Sequence, residues 1–105
     1  MNSDLPSREQ LLMSLQRALL GAVHGQLRQA SIEADGDRHI VRIRFEYDGD
    51  PLPQVLEDCQ IVGAEVISDF VSPWDIDEQH LSVPYPARLR SLMYTAYRRS
   101  EPDAV

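Results

Sequence analysis

The side chains able to act as bases or nucleophiles in this 105-residue chain are few: His24, His39, His80 and the single cysteine Cys59. All ten basic residues are arginine, so Schiff-base chemistry, a phosphate-loop ammonium and a lysine general base are excluded. The histidines could titrate near neutrality, but none has catalytic company in the sequence. His24 falls between a helix and a strand, His39 opens a strand, and His80 is expected on the wet face of another. Cys59 falls on an apolar helical stripe, which reads as packing rather than as a nucleophile. No serine stands in a strand-turn-helix glycine elbow. Asp75-x-Asp77-Glu78-x-His80 offers oxygen and imidazole ligands for a divalent ion. It lacks the glycine and ligand period of a calcium loop, and in extended chain its groups diverge. The expectation is a protein without metal, cofactor or enzymatic activity.

Charge is the stronger signal. Seventeen acidic residues against ten arginines give a net charge of −7, which disfavours direct attachment to nucleic acid or to an anionic membrane. Residues 45–87 hold ten carboxylates and not one arginine or lysine. Either solubility or a basic partner accounts for this, the residues alone favouring a plain solvated face; were it a binding surface, Asp69, Asp75, Asp77 and Glu78 would form its charged centre. Glu57, Asp58 and Glu65 would be its rim, and Trp74 and Tyr85 its apolar anchors. Arg42 and Arg44, with Arg98 and Arg99, make a second patch. No pair of rings accompanies them for bases to stack on, so pairing with Glu33 and Glu46 is preferred over RNA phosphate.

The elements that must position these residues belong to one domain, residues 1–105, with ends 1–5 and 100–105 expected to be loose. One cysteine precludes an internal disulfide, and the N-terminus lacks the basic-then-apolar order of a secretion signal; a reducing cytoplasm is the expected setting. Ser7-x-x-Gln10 predicts a capping box opening a helix that stops near Gly21. Alternation predicts strands over 26–34 and 38–47, joined at Asp35-Gly36 with a positive φ, and with Arg42, Arg44 and Glu46 in water. Pro51 and Pro53 lead into a second helix over 53–70. A third strand over 78–83 should turn Leu81 and Val83 inward. A fourth over 89–99 should cover the edge left by the third. The fold class is therefore α+β, in the order α-β-β-α-β-β: a mainly antiparallel four-stranded sheet with both helices on one face and the other face solvated.

Several of these segments carry a likeness: Leu19-Leu20-Gly21-Ala22-Val23, Val41-Arg42-Ile43-Arg44-Phe45-Glu46-Tyr47-Asp48-Gly49, Ala64-Glu65-Val66-Ile67-Ser68-Asp69-Phe70, and Leu81-x-Val83-Pro84-Tyr85-Pro86. Together they resemble small bacterial α/β immunity proteins of contact-dependent growth inhibition and related polymorphic toxin systems. The resemblance implies a non-enzymatic cytoplasmic antitoxin whose partner is the C-terminal domain of a cognate toxin, often a basic nuclease. It transfers no site residue, because these segments shape the fold. A homodimeric or other assembly module with no toxin partner is the alternative.

Overall fold

Ser7 caps the first helix as its spacing demands: its hydroxyl accepts from the Gln10 N–H at 3.1 Å, and the Gln10 amide oxygen accepts from the Ser7 N–H at 2.8 Å. The computed structural model describes residues 5–102, so residues 1–4 and 103–105 of the expected loose ends lie outside the described residues. The capped helix α1 spans Arg8–Leu19 and buries Leu11, Ser14, Leu15 and Leu19. Gly21 follows in the left-handed region, with φ 78°, the conformation glycine adopts without penalty.

Strands β1 (Leu27–Asp35) and β2 (Ile40–Tyr47) pair antiparallel. Their turn differs from expectation, for the positive φ falls at His39 (55°) and not at Gly36. The Asp35 carboxylate accepts the N–H groups of Asp37 and Arg38, and this side-chain turn lengthens the loop past the glycine. Helix α2 spans Pro53–Ile67 with proline in its first turn, three residues shorter at its C-terminal end than the periodicity predicts. Phe70 still packs on the core beyond it. Strands β3 (Asp75–Ser82) and β4 (Tyr94–Arg98) complete the order helix, two strands, helix, two strands.

The sheet order is β3-β2-β1-β4. Two pairings are antiparallel, but β3 runs parallel to β2 with α2 as the crossover between them. The fourth strand thus pairs with β1 and leaves β3 as an edge, contrary to the expectation that it would cover the third. The phase of β3 is also reversed. Its register sets Ile76, Glu78 and His80 opposite Val41, Ile43 and Phe45, on the side facing the helices, while Leu81 lies opposite Glu46. Alternation in an acidic edge strand is a poor guide, because a one-residue slip exchanges both faces.

Both helices cover one face, where Leu11, Leu15, Val55, Cys59, Val62 and Val66 meet Ala30, Ile32, Val41, Ile43, Phe45 and Tyr47. The opposite face is not simply solvated. Residues 83–93 cross it on the way from β3 to β4, tied by sheet side chains: Arg44 donates to the Arg90 carbonyl, Glu46 accepts the Arg90 N–H, and Ser31 accepts the Leu92 N–H. Gln29, Ser31 and Glu46, polar residues of the supposed wet face, are buried in consequence. Glu46, fully buried, also accepts from the Gln29 amide at 2.9 Å. Glu46→Ala should remove both contacts and cost about 2 kcal/mol, read as a lower urea midpoint with an unchanged slope; no loss would mean that the crossing segment is held by other contacts.

Candidate functional site

Helix α2 turns Val55, Cys59, Val62, Gly63 and Val66 inward, so its helical period brings Glu57, Ile61, Ala64, Glu65 and Ser68 together on the outside. All five are exposed, and Ile61, at 53% exposure, stands four residues from a glutamate on either side. The helix contains no basic residue. Glu57 and Glu65 make no ion pair or side-chain hydrogen bond among the described residues. This acidic ridge with an apolar centre is the part of the expected site that is displayed to solvent.

The rest of that site is divided. Asp69 and Asp58 lie along the seam between the helices, which run in opposite senses. The Asp69 carboxylate accepts from the Ser14 hydroxyl at 2.6 Å and from Arg17 at 2.9 Å; these two donors, Ser14 foremost, hold its pKa below the ordinary carboxylate range. Asp58 meets His24 Nε2 at 2.6 Å and accepts from Gln54 at 2.9 Å, with the same effect on its pKa. Asp77 is on the far side of the sheet, where Arg42 reaches it at 3.0 Å and Glu33 at 2.8 Å. The Asp77 and Glu33 carboxylates in turn raise the Arg42 pKa. The expected Arg42–Glu33 pair is therefore present, while Arg44 bonds to Gln79 and the Arg90 carbonyl in place of Glu46.

Glu78 points the other way from Asp77, into the helix-facing side, and its carboxylate fills the space beside Gly63 that a Cβ there would occupy. Asp75, at the start of β3, is exposed and caps only its neighbour's N–H. Trp74 is half-buried against the core, edge-on to His39 at 5.2 Å. Tyr85 lies on the crossing segment, its ring 5.5 Å from the Arg28 guanidinium and its hydroxyl donating to the Pro102 carbonyl. The four residues expected as one charged centre thus lie at the helix seam, at a strand end and on both faces of β3. Sequence spacing missed Ile61, although its place between Glu57 and Glu65 at intervals of four was the available signal.

His80 also departs from the wet position expected for it. Its ring stacks on Phe45 at 5.0 Å, its Nδ1 is 2.7 Å from the Tyr47 hydroxyl and its Nε2 is 2.9 Å from Glu78 Oε1. A carboxylate only accepts, so Nε2 donates to Glu78. The hydroxyl-imidazole-carboxylate order is that of a nucleophilic triad. Here the hydroxyl belongs to a fully buried tyrosine whose pKa burial drives upward, so the chain of bonds ties β2 to β3 beneath α2. Burial likewise raises the Cys59 thiol, which disfavours the thiolate form a nucleophile requires. Among the described residues no group of three or more His, Cys, Asp and Glu side chains is disposed to hold a metal ion, and no helix is long and apolar enough to cross a membrane.

Comparison with known proteins adds the identity of the fold. No curated protein matches the chain. Residues 8–101, from the first residue of α1 to the glutamate beyond β4, match the family described as MafI2 immunity protein. A match of that extent covers every helix and strand, and the chain belongs to the MafI2 immunity protein family, whose members are immunity proteins and imply a cognate toxin as partner.

Proposed function

We propose that this immunity protein binds and neutralises the C-terminal domain of a nuclease toxin of the contact-dependent growth inhibition type, in the cytoplasm and without catalysis of its own. The observation that carries the reading is the ridge of α2, where Glu57 and Glu65 flank exposed Ile61 with no basic residue on the helix. A nuclease cleft must be positive to hold its substrate, and a negative ridge steers toward it. Ile61 then supplies the apolar anchor that charge alone lacks. Asp75 extends the negative field at the β3 edge, and Asp58, Asp69, Asp77 and Glu78 contribute mainly by holding the scaffold, since each is already bonded within the chain. Trp74 and Tyr85 fit less well as anchors, because both are engaged in packing or hydrogen bonds.

Co-purification with the cognate toxin domain, followed by a nuclease assay with and without this protein, tests the reading. Stable association and loss of cleavage are expected. A toxin whose activity does not act on nucleic acid, or which binds without being inhibited, would refute it.

A further inference from the structure

On the side of the sheet opposite α2, the crossing segment and β4 enclose an open groove of about 830 Å³, within the roughly 300–1,000 Å³ typical of ligand sites. Four of the ten arginines line it, Arg28, Arg88, Arg98 and Arg99, against one carboxylate, Glu101. Two of the four are committed: Arg28 and Arg99 are both held by Glu101 and form the fixed wall of the groove. Arg88 and Arg98 are exposed and make no hydrogen bond or ion pair among the described residues. Half of the ten arginines, Arg17, Arg28, Arg38, Arg42 and Arg99, reach carboxylates; Arg88 and Arg98 are not among them, and unlike the other unpaired arginines they face one groove. Ser91 and Thr95, hydrogen-bonded to one another at 2.6 Å, supply neutral polar lining between them.

We propose that this groove binds a short acidic polypeptide segment of a partner protein, with Arg88 and Arg98 pairing its carboxylates. Guanidinium forks suit both carboxylate and phosphate, so the choice of ligand rests on what else the groove presents. Single-stranded nucleic acid needs free aromatic faces. The one aromatic ring in the lining, Tyr85, has Arg28 against its face and its hydroxyl tied to Pro102. A long polyanion is also repelled by the remaining negative surface, a penalty that grows with its charge and is small for a segment carrying a few carboxylates. Since the groove and the α2 ridge are on opposite sides of the sheet, this site stands or falls independently of the toxin surface proposed above.

The test uses the full chain and three probes: a fluorescein-labelled oligoglutamate peptide, single-stranded oligouridine RNA and inorganic phosphate. Oligoglutamate should bind saturably and perturb the backbone amides of Arg88, Ser91, Thr95 and Arg98 in NMR spectra. Arg88→Glu/Arg98→Glu should weaken it about tenfold or more without lowering the melting temperature, because both side chains are exposed and unbonded. Arg8→Glu/Arg38→Glu changes the net charge equally at sites outside the groove and should leave binding nearly intact. Absence of binding, equal loss in both double variants, perturbations confined to other surfaces, or preference for RNA or phosphate would each overturn the assignment.

Discussion

Replacing Glu101 with glutamine is expected to lower the unfolding free energy at neutral pH by about 3 kcal/mol. Arg28 is the reason. Its side chain is 4% exposed, and Glu101, 11% exposed, meets its Nε and Nη2 at 2.7 and 2.9 Å in the bidentate fork that makes such pairs strong. The remaining Arg28 nitrogen, Nη1, donates to the Val83 and Ala87 carbonyls, so one guanidinium joins β1, the crossing segment and the segment that follows β4. Arg99 extends the chain of charges by bonding Glu101 at 2.8 Å and Asp48 at 3.0 Å. A glutamine keeps the shape but leaves two arginines, one of them buried, short of countercharge.

The same pair sets a pH dependence. Hydrogen bonds from Arg28, then from Arg99, lower the Glu101 pKa from 4.5 to about 2. A carboxyl depressed by folding stabilises the native state fully above its unfolded pKa, and that contribution disappears as pH falls through the folded value. Wild type and Glu101→Gln should therefore differ by a constant amount above about pH 4.5 and converge toward pH 2. Urea unfolding across that range reads the difference directly. A gap that persisted at the acid end, or none at neutral pH, would show that the pair contributes little.

For binding, Glu57→Lys/Glu65→Lys should slow association with the toxin domain about tenfold at low ionic strength. The effect should largely vanish at about 1 M salt, where the screening length is about 3 Å. Ile61→Ala should act differently, leaving the association rate nearly unchanged and speeding dissociation, since a desolvated anchor holds the complex after encounter. None of these side chains has a partner within the described fold, so unfolding should not confuse the result. Reversal at Asp77 would be less informative, because it also breaks the pair with Arg42. Association rates insensitive to both charge and salt would move the toxin to another face of the molecule.

Local signals were legible where one residue acts on its near neighbours. The Ser7–Gln10 capping box, the proline at the start of α2 and the alternation of Ala30, Ile32, Val41, Ile43 and Phe45 all appear as read. They failed where a distant segment decides the environment. Asp35 bonding past Gly36 displaced the positive φ to His39. In β3, the side-chain phase followed from parallel pairing to β2 and from Glu78 and His80 docking under α2, not from its own two apolar residues. Of the acidic set, helical spacing placed Glu57 and Glu65 outward, but could not tell that Ser14, Arg17, His24 and Arg42 would take up Asp69, Asp58 and Asp77.

By itself, then, the sequence determined the types and order of the elements and the absence of arginine and lysine between residues 45 and 87, because both follow from intervals of a few residues along the chain. Tertiary structure alone decided which carboxylates remain available, why Glu46 and Arg28 are buried, and that Arg88 and Arg98 line one groove. Each of those depends on ion pairs and hydrogen bonds between residues far apart in sequence, whose meeting is set by strand order and by the path of residues 83–93 across the sheet.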